Sequence, residues 1–121
     1  MSPLYVGIMT GTSVDGIETA LVSIKGAPPR LQWKLKAQTS SNFEKELART
    51  IREVAGGEPR RAEDFAALDA ALGEVYAAAV LELLAEANTA PSEVAAIGMH
   101  GQTIFHRGPR DATARGNGGL T

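Results

Sequence analysis

Met9-Thr10-Gly11-Thr12-Ser13-Val14-Asp15-Gly16 is the stretch on which the reading of this chain turns. It follows a nearly unbroken apolar run, Leu4-Tyr5-Val6-Gly7-Ile8-Met9, and leads into a β-rich run from Ile17 to Ile24. The first run suits a strand buried on both faces. Two glycines, two hydroxyl residues and one carboxylate fall between Gly11 and Gly16. Glycine admits positive φ and lets a ligand approach the main chain closely. Consecutive backbone N–H groups can then form a nest for phosphate oxygens, with Thr12 and Ser13 adding donors. Asp15 can hold a hydrated Mg²⁺ that bridges such phosphates. A second reading needs no ligand, because Asp15-Gly16 between two apolar runs is also a common short hairpin signal. The stretch is not a Walker loop, since no Gly-Lys-Ser/Thr follows, and it lacks the Gly-x-Gly-x-x-Gly spacing of a dinucleotide site.

The rest of the composition narrows the classes. At 121 residues the chain has the length of one small domain. A net charge of −2 gives no general attraction to nucleic acid or to an anionic membrane. Without cysteine there are no disulfides, thiolate metal sites or cysteine nucleophiles. No basic residue precedes the first apolar run, and Glu82 and Glu86 interrupt the Ala/Leu-rich segment. The expectation is a cytoplasmic protein with neither a secretory signal nor a membrane span.

Further along, Gly26-Ala27-Pro28-Pro29 reads as a turn. Leu31 to Gln38 alternates strictly, which places Leu31, Trp33, Leu35 and Ala37 on one face and Lys34 and Lys36 on the other, as near a sheet edge. The first three strands thus predict an antiparallel meander. Ser41-x-x-Glu44 has the pattern of a capping box, followed by Phe43, Leu47, Ile51 and Val54 at helical spacing and a Gly56-Gly57 stop. A longer helix is expected from about Ala62 to Ala87, with the stripe Phe65, Leu68, Leu72, Val75, Tyr76, Ala79, Leu83 and an end at Asn88 and Pro91. Asp69, Glu74, Glu82 and Glu86 read as solvated helix charges.

Val94 to Met99 is a short apolar strand running into His100-Gly101-Gln102-Thr103, the second concentration of polar chemistry. In open α/β sheets ligands gather at the carboxyl ends of strands, so the two clusters can line one cleft. His100 can then donate to a sugar hydroxyl or phosphate, and Gln102 can bond donors and acceptors alike. The plainer alternative is that His100 and Gln102 cap a strand end. His106 stands six residues from His100, which is no standard metal-ligand spacing. From Arg107 to Thr121 periodicity and apolar anchors give out, which reads as disorder.

Together, Met9-Thr10-Gly11-Thr12-Ser13-Val14-Asp15-Gly16-Ile17-Glu18 and Ile97-Gly98-Met99-His100-Gly101-Gln102-Thr103-Ile104-Phe105-His106 resemble the anhydro-N-acetylmuramic acid kinase family. The resemblance covers roughly Leu4 to His106 and includes the elements between the motifs. It implies an α/β fold of the actin, Hsp70 and sugar-kinase (ribonuclease H-like) superfamily, here an N-terminal half-domain of order βββααβ. Residues 1–106 would be an incomplete ATPase-fold subdomain and 107–121 a disordered or aberrant tail.

The implied activity is an ATP-dependent kinase that opens the 1,6-anhydro bond of its sugar with water and phosphorylates the 6-oxygen, giving N-acetylmuramic acid 6-phosphate for peptidoglycan recycling. The resemblance assigns ATP phosphates to Gly11, Thr12, Ser13, Val14, Asp15, Gly16, Ile17 and Glu18, Mg²⁺ to Asp15, and the sugar to His100, Gly101, Gln102 and Thr103. It implies no catalytic base within this chain: the family's Asp-Phe-Arg motif and adenosine pocket lie beyond Thr121. Glu18 stands where the family has Asp, and Thr10 where it has Ser. The family's Thr-Leu-Gln-Ile-Gly strand is not matched after Pro109, which suggests a truncated or frameshifted reading frame. The alternative function is a non-catalytic fragment that binds a phosphate compound or a partner protein. Apolar surface left where a second half packs would favour a homodimer.

Overall fold

The computed structural model describes residues 2–11 and 13–105. Thr12, His106 and the tail expected over 107–121 lie outside the described residues. Strands β1 (Leu4–Thr10), β2 (Ile17–Lys25) and β3 (Gln32–Ser41) precede helices α1 (Lys45–Ala55) and α2 (Ala62–Glu86). A single 3₁₀ turn at Pro91–Glu93 then leads into β4 (Val94–Met99). The four strands form one sheet in the order β3-β2-β1-β4. β1 and β2 pair antiparallel, as do β2 and β3, so the meander forms as the sequence predicts. β4 returns parallel to β1, with Val6 opposite Ile97 and Ile8 opposite Met99. A parallel return needs a long crossover, and the two helices supply it.

One face of the sheet carries the core. Val6 and Ile8 of β1 and Ile17 and Leu21 of β2 are buried against Ala48 and Ile51 of α1 and Leu68, Tyr76, Ala79, Val80, Leu83 and Leu84 of α2. The α2 stripe therefore faces inward as its spacing predicts, except at its first member, Phe65, which is 41% exposed. Thr19 is also in this core, and its hydroxyl is satisfied by Thr39 directly across the β2–β3 ladder. α2 ends where Asn88 adopts φ +52°, a left-handed position that asparagine tolerates better than most residues.

Two local expectations are corrected. The alternating face on β3 is split, because Leu21 pairs with Ala37 while Val22 pairs with Leu35. Lys36 is thus an extra residue in the ladder, a bulge that exchanges the faces on either side of it. Ala37 stays on the helix side, half-buried, whereas Leu35 and Trp33 turn to the opposite face, where Trp33 is 68% exposed. The capping box at Ser41 does not form. Ser41 is the last residue of β3, paired with Ile17, so its backbone belongs to the sheet. α1 begins at Lys45 with Glu44 in the cap position and no side-chain cap.

The packing gives two stability predictions, both read by urea denaturation. Leu83 is fully buried and Leu81 is 57% exposed. Leu83→Ala is expected to cost about 3 kcal/mol and Leu81→Ala under about 0.5 kcal/mol. Gly26 has φ +88°, and an added Cβ would meet the Arg30 carbonyl oxygen at 2.6 Å. Gly26→Ala is expected to cost more than about 1 kcal/mol.

Candidate functional site

The β1–β2 connection is not the two-residue Asp-Gly hairpin that the short signal suggests. Thr10 pairs with Ile17, so Gly11 and Ser13–Gly16 stand out of the ladder. The loop is folded by two contacts at Val14: its N–H donates to the Gly11 carbonyl at 3.2 Å, and its own carbonyl accepts from Arg52 Nη2 on α1 at 3.2 Å. Val14 has φ +58°, unusual for a β-branched residue, and its side chain is buried in the core. Burial of that side chain holds the loop in a shape that local propensity disfavours.

On the outside of the loop Ser13 and Asp15 are exposed. A Cβ on Gly11 would lie 3.5 Å from Asp15 Oδ1 and 3.6 Å from Ser13 Oγ. The two side-chain oxygens thus stand beside a bare glycine, leaving open the space that a side chain would fill. Gly16 is half-buried against the Ser41 carbonyl, and Ile17 is a core residue. Glu18 is exposed and accepts a hydrogen bond from the Ser40 hydroxyl across the ladder.

The second cluster lies beside this loop. The parallel register places the end of β4 next to the end of β1, and the His100 N–H extends the ladder to the Ile8 carbonyl at 3.3 Å. Gly101, at φ +81°, then turns the chain. Its carbonyl accepts from the Thr10 hydroxyl at 2.6 Å, and Gln102 Nε2 donates to the Gly11 carbonyl and to its neighbour Thr103, each at 3.1 Å. Gly11 and Gln102 are 91 positions apart in sequence and in direct contact here. His100 keeps its imidazole exposed, and Thr103 is half-buried.

Two contributors carry no functional signal in the sequence: nothing marks Arg52 on α1, and Tyr76 reads as one more member of an apolar stripe, whereas Thr10 stands within the first motif. The Tyr76 hydroxyl is buried. Burial pushes its pKa above the ordinary tyrosine value; Thr10 stands close enough to oppose that rise, yet no hydrogen bond of acceptable geometry joins the two hydroxyls. Among the described residues no group of three or more His, Asp or Glu side chains gathers to hold a metal. A cation at the loop would have Asp15 as its protein carboxylate, with phosphate and water as the remaining ligands, an arrangement suited to Mg²⁺.

This sheet, with its two strand-end clusters and helical crossover, is the N-terminal half-domain of the actin, Hsp70 and sugar-kinase ATPase fold. The family model described as "Anhydro-N-acetylmuramic acid kinase" matches residues 3–115. Proteins of that name are similar to this chain: one from Microcystis aeruginosa is 43% identical over 106 residues, covering 88% of this chain and 27% of the relative. One from Acaryochloris marina is 44% identical over 105 residues (87% and 27%), and one from Xanthomonas campestris 41% over 111 residues (91% and 29%). The chain belongs to the anhydro-N-acetylmuramic acid kinase family and spans less than a third of the length of these relatives.

Two predictions follow from the site's bonding. Thr10→Val removes the bond to Gly101 at a buried position and is expected to cost about 1 kcal/mol in urea unfolding. Tyr76 is held protonated above its ordinary pKa of about 10, so its contribution to stability is complete below that value. The contribution is lost as pH rises through the higher folded value. Comparing urea midpoints between pH 8 and 11, Tyr76→Phe is expected to flatten that alkaline decline.

Proposed function

We propose that this chain forms the phosphate-holding part of an ATP-dependent kinase for 1,6-anhydro-N-acetylmuramic acid. The reaction consumes water at the anhydro bond, places the phosphoryl group on the 6-oxygen, and yields N-acetylmuramic acid 6-phosphate and ADP. The observation that carries the reading is the junction of the two motifs, with Gln102 bonded to Gly11 and Thr10 to Gly101, in a chain of this family.

In this reading the main chain of Gly11–Gly16 and the hydroxyls of Thr12 and Ser13 bind phosphate oxygens. Gly11 leaves the space for their approach. Asp15 binds the hydrated Mg²⁺, which neutralises phosphate charge when bound. Ile17 anchors the loop through the core, and Glu18 supplies a carboxylate on the strand that follows it. His100, Gly101, Gln102 and Thr103 orient the acceptor sugar at the adjoining strand end. Such an arrangement suits phosphoryl transfer, which depends chiefly on positioning and charge stabilisation. The base for the attacking water and the adenosine pocket would come from the remainder of the family's sequence. We place the activity in the cytoplasm, within peptidoglycan recycling.

A second reading is a non-catalytic phosphate- or partner-binding module. The exposure of Ile97 (53%) and Met99 (57%) on β4 favours it, since apolar side chains on an outer strand suit association with another chain or a homodimer. Titration calorimetry with Mg-ATP tests the phosphate site under either reading. The chain is expected to bind and Asp15→Ala to bind at least tenfold more weakly. Equal affinities would remove Asp15 from the site.

A further inference from the structure

β4 has β1 on one side and, among the described residues, no strand on the other. It pairs regularly with β1 from Ala96 onward, after an extra residue at Ala95. In a parallel ladder, alternate residues direct their N–H and C=O groups to opposite sides of the strand. The His100 N–H turns inward to the Ile8 carbonyl, so the backbone groups of Ile97 and Met99 face the open edge. Beside that edge an apolar groove of about 510 Å³ runs along α2, walled by Ala77, Val80, Leu81 and Leu84 and by the half-exposed Ile97 and Met99.

Edge strands are ordinarily blunted by charge, proline or a bulge. The other edge of this sheet, β3, carries Lys34, Lys36 and a bulge. β4, Val94-Ala95-Ala96-Ile97-Gly98-Met99, has neither charge nor proline, and no lining side chain of the groove is charged. Charge then decides the occupant. A two-fold contact sets a surface against its own copy, so any charge on it meets its like. The β3 edge would repel itself, whereas β4 and its groove are self-complementary. The sequence from Arg107 to Thr121 is a poor match for the groove, because Leu120 is its only large aliphatic residue.

We infer that β4 pairs antiparallel with β4 of a second copy about a two-fold axis at Gly98, which joins two four-stranded sheets into one. The inference rests on the second reading above and gives it its partner. In this register the outward backbone groups of Ile97 exchange hydrogen bonds with those of Met99 in the other copy, and reciprocally. Gly98 meets its own copy at the closer position between those bonded pairs. The side chains of Ile97 and Met99 from both copies lie together on the helix side, where they close the two grooves.

The test is sedimentation equilibrium over about 1–200 μM chain, with circular dichroism and Mg-ATP calorimetry run in parallel. A reversible dimer is expected. Ile97→Lys places a charge at an exposed position and is expected to weaken the dimer at least tenfold while the fold is kept, whereas Lys34→Glu is expected to leave it unchanged. The chain has no cysteine, and a Cβ at Gly98 meets nothing within 4 Å, so Gly98→Cys adds one unhindered thiol. Residues at the closer antiparallel position stand about 4.5 Å apart at Cα, within disulfide reach. Mild oxidation is therefore expected to link Gly98→Cys into a covalent dimer and to leave Lys34→Cys unlinked. A dimer that ignores Ile97→Lys, or that Lys34→Cys links and Gly98→Cys does not, would overturn this interface and keep self-association. A chain that stays monomeric throughout would overturn the inference. Mg-ATP binding by that monomer would leave the phosphate-module form of the second reading standing, and no binding would remove both.

Discussion

Everything at the site depends on the parallel pairing of β4 with β1. Because Ile8 lies opposite Met99 and both strands run the same way, their carboxyl ends emerge side by side. An antiparallel return would have sent Gly11 and Gly101 to opposite ends of the sheet. The crossover that makes the return parallel is held by ordinary burial, with Leu83, Val80 and Tyr76 in the same buried cluster as Val6 and Ile8. The hydrophobic core therefore sets the separation of two polar motifs. The bonds from Thr10 to Gly101 and from Gln102 to Gly11 then fix their relative orientation.

The same coupling of core to loop is concentrated at Val14. Left-handed backbone at a β-branched residue costs roughly 1–2 kcal/mol. Burying a valine side chain returns about 1.5–3 kcal/mol, which is enough to hold the position. Glycine at that position would relieve the backbone and lose the anchor. The Arg52 guanidinium on the Val14 carbonyl adds a second restraint from α1 and brings positive charge to the back of the loop. A loop shaped from behind in this way keeps its outward groups free, so the hydroxyl of Ser13 and the carboxylate of Asp15 remain exposed.

Much of this was legible in the sequence because the signals were local and agreed. β4 was marked by its apolar run and by the polar cluster after Met99, α2 by its long apolar period and by Asn88 and Pro91, and the meander by Gly26 and two prolines. The bulge at Lys36 was not legible. The alternation from Leu31 to Gln38 is strict, and the extra residue shows only when β3 is laid against β2. The cap at Ser41 failed for a related reason, since a competing ladder partner, Ile17, lies far away in sequence. At the site, residue types identified the loop and the strand end. Arg52 and Tyr76 were missed because a helical stripe predicts burial and says nothing of where a polar tip points. Tyr76 was read correctly as a core residue, and its hydroxyl is the part that sequence periodicity does not reach.

The site is also tied to how the outer strand is covered. β4 is paired on one side by β1, and its helix-facing residues Ile97 and Met99 are half-exposed beside an apolar groove that Val80, Leu81 and Leu84 share. On the opposite face of the sheet Trp33 and Leu35 add to the exposed apolar surface. An outer strand with few buried contacts opens at lower free energy than the core, and Gly101 and Gln102 are its direct continuation. The bonds that hold those residues come from β1 and from Gln102's own neighbour, Thr103. Whatever covers Ile97 and Met99 therefore steadies Gly101 and Gln102 as well, and a ligand bridging the glycine loop and Gln102 would stabilise β4 in return. Covering of β4 and occupation of the site are thus one coupled equilibrium.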